Sequence, residues 1–251
     1  MASHPPAKCC TVGVRHEGTT TGQRIKVGAH DAYLASASSN NAHRGTGVLY
    51  VPDVIGIWDN SKLLADEFAA KGYTTLIIDI FNGDAIEVNK FPEVNLPDWI
   101  QNGLNGAGGH TTIEIDPIVK EAIEYMKNEM GFERIGAVGY CFGAKYVLRH
   151  YQHGIDVGFI AHPSFVEEDE LASITGPLSI AAAETDSVFP AQKRYESEEI
   201  LKRTGVIYQV NLFSGVVHGF AVRCDLSKKQ ERFAKEQAFL QAVTFFDNWL
   251  L

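Results

Sequence analysis

The chain has 251 residues, of which 45% are hydrophobic and 21% charged, and carries a formal net charge of -9 at pH 7. That length fits one large α/β domain or two small ones and is enough to bury about three quarters of the unfolded chain's surface, and the acidic balance argues against a nucleic-acid partner, which would need a basic patch. The first thirty residues hold no apolar run of signal-peptide or membrane-spanning length, so a cytoplasmic protein with no membrane partner is expected, and its four cysteines need not form a disulfide framework.

Residues 1–45 read as an N-terminal extension. Its first 28 residues are rich in Gly, Thr, Pro and charge and are expected to wander across the surface before an early strand near Asp31–Ala35. Cys9 and Cys10 are adjacent, cannot easily bridge each other, and have no His or Cys at a zinc-ligand spacing; they read as free thiols or packed small residues. Gly47–Val51 is a short buried strand, and Pro52–Gly56 is the loop leaving its C-terminal end. Asn60–Lys71 has an Asn/Ser cap, an apolar face of Leu63, Leu64 and Phe68, and Gly72 as its stop, which predicts a helix. Tyr73–Asp79 is β-branched and short, hence a buried parallel strand.

The segment 81–112 breaks the pattern. It carries Pro92, Pro97, Trp99, Gly103, Gly106, Gly108 and Gly109 and leaves the C-terminal end of a strand, so it reads as a substrate-covering segment, with a solvated surface insertion as the alternative. Asp116 and Pro117 then offer a cap and a first-turn proline for a helix running to about Met130, with Ile118, Ala122, Ile123 and Met126 as its buried stripe. Strand–helix alternation continues through Arg134–Val138, Ala144–His150, Val157–His162, a strand ending before Asp186, a helix opened by Pro190, and the strand Val206–Phe213. Lys229–Leu251 closes the chain as a helix with Phe233, Leu240, Val243, Phe246 and Trp249 mostly on one face. Such alternation predicts an α/β fold with a mostly parallel sheet and helices on both faces, one domain over 1–251.

The chemistry concentrates in Gly139-Tyr140-Cys141-Phe142-Gly143, a strand–turn–helix junction with the nucleophile-elbow pattern G-x-S-x-G and cysteine in place of serine. Small residues flank the nucleophile because the turn is tight, and the helix starting there points free N–H groups at the sulfur, which favours thiolate. A buried structural cysteine between packing glycines is the alternative. Two downstream stretches decide between them. Leu178–Asp186 is an apolar strand ending in an acid, and the strand through Phe213 leads to His218. Nucleophile, acid, histidine is the α/β-hydrolase triad order, each member at the C-terminal end of a predicted strand. Cys141 needs a base, His218 titrates near neutrality, and Asp186 would fix its tautomer. Cys224 follows closely and reads as packing.

Val51-Pro-Asp53-Val-Ile-Gly56, the cysteine elbow, Glu184-Thr-Asp186 and Phe213-Ser-Gly-Val-Val-His218-Gly-Phe-Ala-Val-Arg223 together resemble the dienelactone hydrolases (carboxymethylenebutenolidases) from about Val48 to the C-terminus. The Cys9-Cys10 to His16-Glu17-Gly18 region is more similar to the eukaryotic branch. The resemblance implies the α/β-hydrolase fold and an oxyanion hole made by the backbone N–H groups of Val54 and Phe142. It also implies an acid at Asp53 that controls the protonation of Cys141, by like-charge repulsion holding it as thiol, and Arg223 as a binder of a substrate carboxylate. Here the match departs from the bacterial pattern: the arginine stands one residue further from the histidine, and a second arginine has no counterpart in Asp79–Asp84. The implied reaction is hydrolysis of a small lactone or ester through a cysteine thioester, with no metal or organic cofactor. A lyase, dehydratase or cyclase of secondary metabolism on the same scaffold is the alternative, and a silent small-molecule-binding protein a third. A monomer or homodimer is expected.

Overall fold

In the computed structural model, residues 1–90 and 93–251 are described, so the part of the 81–112 segment that includes Pro92 lies outside them. The strands are β1 (Gln23–Val27), β2 (His30–Ala35), β3 (Thr46–Val51), β4 (Thr74–Ile78), β5 (Arg134–Tyr140), β6 (Val157–Ala161), β7 (Leu178–Thr185) and β8 (Tyr208–Val217). They form one sheet in the order β1-β2-β4-β3-β5-β6-β7-β8. β1 and β2 are antiparallel to each other and β2 to β4, while every pair from β4 through β8 is parallel. Parallel neighbours need crossovers, and α1 (Asp59–Ala70), α3 (Thr112–Asn128), α4 (Gly143–Arg149) and α6 (Ala191–Thr204) supply them. Two cores result, one on each sheet face, because side chains alternate along a strand. Leu49 and Val51 join Ile123 of α3 and Val147 of α4. Val48 and Tyr50 join Leu64 and Phe68 of α1 and Phe246 of α8 (Lys229–Trp249). This is the α/β-hydrolase arrangement that the sequence predicts.

Four local expectations need correction. β1 is a strand within the stretch read as wandering; its sequence is polar because an edge strand buries little, and of its five residues only Val27 is buried. Helix α3 starts four residues before the Asp116–Pro117 signal. Its cap is Thr111, whose Oγ1 accepts from Ile113 N while Glu114 reaches back to Thr111 N, a reciprocal box that satisfies two otherwise orphan donors; Pro117 then lies inside the helix. On α8, Phe233, Leu240 and Trp249 are 54%, 42% and 47% exposed, while Val243 and Phe246 are buried as expected, beside Ala234, Ala238, Ala242 and Phe245. The alanines let the helix lie close to the sheet, so three of the large side chains fall outside the face they form with Phe246.

The fourth correction concerns the N-terminus. Ala2, Ser3, Cys10 and Thr11 are buried. Ser3 N donates to Val166 O, His4 N to Val188 O, Asn89 N to Thr11 O and Val14 N to Arg223 O. The segment is a strap tied across the C-terminal edge of the sheet. Its backbone groups find partners in the loops after β6, β7 and β8, which outweighs what its turn-rich composition suggests.

Candidate active site

Each triad residue sits just beyond the C-terminal end of a parallel strand. After β5 the chain turns through Cys141 at φ +51°, a left-handed conformation that side chains other than glycine rarely adopt and that structures keep at functional positions. The flanking glycines are required by contact: a Cβ on Gly143 would lie 2.1 Å from Val51 O, and one on Gly139 2.8 Å from Gly143 O. Cys141 N donates to Ala161 O at 3.1 Å, which fixes the elbow against β6.

His218, one residue after β8, presents Nε2 to Cys141 Sγ at 3.2 Å and Nδ1 to Asp186 Oδ2 at 2.8 Å. Asp186, one residue after β7, uses Oδ1 for the backbone N–H groups of Val188 and Phe189, at 2.8 and 2.9 Å. Both carboxylate oxygens are therefore occupied, and the imidazole can turn only with the whole loop. Burial pushes the Asp186 carboxyl up, but His218 and the two amides outweigh it and hold it below the usual carboxylate range. Burial likewise disfavours a charged His218, yet the Cys141 sulfur and Asp186 raise its pKa to about 10. Burial raises the Cys141 thiol, while hydrogen bonding from Cys10 and the charge and hydrogen bond of His218 bring it well below an ordinary thiol. The consistent direction is a thiolate–imidazolium pair in the resting site.

Neither the Val54 nor the Phe142 N–H donates to a backbone acceptor outside helices and strands among the described residues. Val54 is positioned by its loop: Gly56 N donates to Asp53 O, and Ile86 N to Val54 O. The 81–112 segment backs the elbow. Phe81 and Trp99, the latter on α2 (Leu96–Asn102), lie tilted against the Phe142 ring with centroids at 5.7 and 6.1 Å, and His110, bonded to Asp84 at 2.8 Å, packs against both Phe81 and Trp99.

Asp53 and Arg223 are brought together, but not as the resemblance implies. The Arg223 guanidinium pairs with Asp53 Oδ2 and also donates to Val12 O at 3.3 Å and Cys9 O at 3.2 Å. It is 3% exposed. An arginine so occupied is a strut between the strap and the β3 loop, not an open anion receptor. Asp53 in turn has its charge answered by Arg223 and by the Ile55 amide at 3.0 Å, so its repulsion of the sulfur is offset. Burial pushes the Asp53 carboxyl up, Arg223 pulls it down and the Cys141 sulfur pushes it up again, so the acid and the thiol are near enough to repel each other while Arg223 opposes that repulsion.

Three neighbours escape the sequence motifs. Ser164 Oγ lies 3.5 Å from Cys141 Sγ. His162, directly after β6, has φ +39° and neither ring nitrogen bonded; burial lowers its pKa to about 4, so it is neutral, and its ring edge faces His218 at a centroid distance of 5.0 Å. The signal for it was its position at the sheet's C-terminal edge. Cys10, from the strap, is buried with Sγ 3.4 Å from His218 Nε2. Cys9, Cys10 and His218 offer ligand atoms all within 4.8 Å of one another, a set that sequence spacing hides because 208 residues separate Cys10 from His218. Cys224 is buried, and burial pushes its thiol up to about 11, as befits packing. No helix among the described residues is long and apolar enough to cross a membrane.

Comparison with known proteins agrees with this fold. The model of the dienelactone hydrolase family matches residues 30–250. Hydrolase pyvD of Aspergillus violaceofuscus is 47% identical, covering 100% of this chain and 99% of the relative. Dienlactone hydrolase 1 of Gibberella moniliformis is 33% identical over 100% of this chain and 96% of its own length. The crystal structure of a putative dienelactone hydrolase from Klebsiella pneumoniae superposes with a TM-score of 0.72 at 11% identity, covering 92% of this chain and 100% of that one, a likeness of fold.

Proposed function

Because the chain belongs to the dienelactone hydrolase family and is therefore a hydrolase of ester or lactone bonds, we propose that it cleaves its substrate through a thioester on Cys141. The observation that carries this reading is the continuous contact Cys141 Sγ to His218 Nε2 at 3.2 Å and His218 Nδ1 to Asp186 at 2.8 Å, set on a strained elbow.

The thiolate attacks the carbonyl carbon, and its oxygen becomes the oxyanion that the Val54 and Phe142 N–H groups receive. Collapse of this intermediate breaks the carbon–oxygen bond, and the imidazolium Nε2–H protonates the departing alkoxide. Neutral His218 then takes a proton from water as the hydroxide adds to the thioester, and collapse of the second intermediate expels the sulfur as thiolate as the acid leaves, which restores the thiolate–imidazolium pair. Asp186 holds the tautomer that leaves Nε2 free and stabilises the imidazolium whenever it forms.

Access requires the strap to move. Cys141 is 0% and His218 4% exposed, and Cys10 stands where a leaving group would meet Nε2. With Arg223 tied to Asp53, the support for an acidic substrate falls away, and a small lactone or ester of unspecified charge is the class proposed.

The test is the mass of the intact protein after brief exposure to an activated aryl ester. An acyl adduct mapped to Cys141 and absent from Cys141→Ala is expected. Full turnover in Cys141→Ala would discard the thioester and leave proton-transfer chemistry by His218 and Asp186, as a lyase would use.

A further inference from the structure

The strap delivers two sulfurs to a centre whose acyl-transfer chemistry needs neither. Cys10 Sγ is 3.4 Å from His218 Nε2, and Cys141 Sγ is 3.2 Å from that same nitrogen. Cys9 Sγ completes a trio with Cys10 and His218 whose ligand atoms lie within 4.8 Å of one another. Around tetrahedral zinc, bonds of about 2.3 Å to sulfur and about 2.0–2.1 Å to nitrogen place sulfur and nitrogen ligands about 3.6 Å apart and two sulfurs about 3.8 Å apart. The observed separation of Cys10 Sγ from His218 Nε2, 3.4 Å, falls within a few tenths of an ångström of that spacing.

The surroundings also suit a cation. A ligating histidine usually gives its other N–H to a carboxylate, which turns the free lone pair toward the metal. Here Asp186 holds Nδ1 at 2.8 Å. Thiolates with imidazole select soft or borderline cations and discriminate against magnesium and calcium. Arg223, whose charge would oppose a metal, is already paired with Asp53. Cys9 is half-buried while Cys10 is fully buried, so the trio has one side toward solvent through which an ion can enter.

We propose that Cys9 Sγ, Cys10 Sγ and His218 Nε2 form a binding site for a thiophilic divalent cation, zinc above all, and that the bound ion locks the strap over the catalytic thiol. Binding releases to solvent whichever protons the two thiols and the imidazole carry; no electron is transferred. The locking of catalysis rests on the thioester reading. The binding itself does not.

The experiment uses the whole chain, stripped with a chelator and kept reduced with a phosphine, titrated with cobalt(II) and then with zinc. The expected result is one cobalt per chain with the visible bands of a tetrahedral site and a thiolate charge-transfer band, displaced by one equivalent of zinc. Cys9→Ser and Cys10→Ser should each weaken zinc binding by more than the about 10–100-fold that loss of even an outer-shell partner causes. Cys9 is partly exposed, so its variant keeps the test alive if Cys10→Ser folds poorly by circular dichroism. Absence of the thiolate band in the wild type, or unchanged zinc affinity in the folded cysteine variants, overturns the site. Zinc should also suppress hydrolysis in the wild type, and less so in each variant relative to its own metal-free rate. Cobalt bands of the expected kind in a protein that never forms an acyl adduct would leave the cation site standing and discard the thioester.

Discussion

Replacing Asp186 by asparagine tests the triad at its most constrained point. The two backbone amides of Val188 and Phe189 both donate to Oδ1, and an asparagine satisfies them only by keeping its carbonyl oxygen there. Its NH2 group is then forced into the place of Oδ2, facing His218 Nδ1. It donates where the aspartate accepted, so the ring must carry its proton on Nε2, which can no longer take one from Cys141 or water. The electrostatic loss alone is that of a hydrogen bond to a charged group, about 1.5–3 kcal/mol, or about 13- to 160-fold in kcat/KM at about 1.36 kcal/mol per decade. The tautomer error adds to this, and a comparable substitution in a serine protease triad lowers kcat by about 10⁴. The expected loss therefore lies between about 10² and 10⁴. His218 now stays protonated up to about 10 because Cys141 and Asp186 favour its cation; without the anion, the alkaline limb of the kcat/KM profile should fall to lower pH. Two assays check this: the pH profile of ester hydrolysis, and the rate of iodoacetamide alkylation of Cys141, which reports thiolate directly. Hydrolysis within about threefold of wild type, with an unmoved alkaline limb, would refute the assignment of the acid.

The buried pair Asp53–Arg223 yields a thermodynamic cycle. Each single alanine variant strands a buried charge and should destabilise the fold by about 3–5 kcal/mol, while the double variant should lose clearly less than the sum; additive losses by denaturant unfolding would show that the pair is not coupled. Because Cys141 is 0% exposed under the strap, deleting residues 1–13 should speed its alkylation tenfold for every about 1.4 kcal/mol needed to open the strap. An unchanged rate in a folded deletion variant would mean that the substrate reaches the sulfur by another path.

Local patterns were enough for the parts of this protein whose physics is local. The β-branched run before Asp79, the alternation of strands and helices, the two glycines around Cys141 and the order of Cys141, Asp186 and His218 all follow from short-range sterics and hydrogen bonding. They point to the fold, and they point to the triad residues that the structure then brings into contact. Apart from the start of α3, which the local Thr111–Glu114 capping box decides, the main errors share one cause, which is that the deciding partner lies far along the chain. The strap has loop composition and is nonetheless buried because loops 150 to 220 residues away accept and donate its backbone bonds, as between Ser3 and Val166 and between Val14 and Arg223. Arg223 follows the histidine at a suggestive interval, but the carboxylate that claims it stands 170 positions earlier, at Asp53. Cys10 reaches His218 across 208 residues. A sequence pattern records what a residue can do, whereas the folded chain determines which distant group it meets, and for a buried charge or thiol that neighbour sets its ionisation and its role.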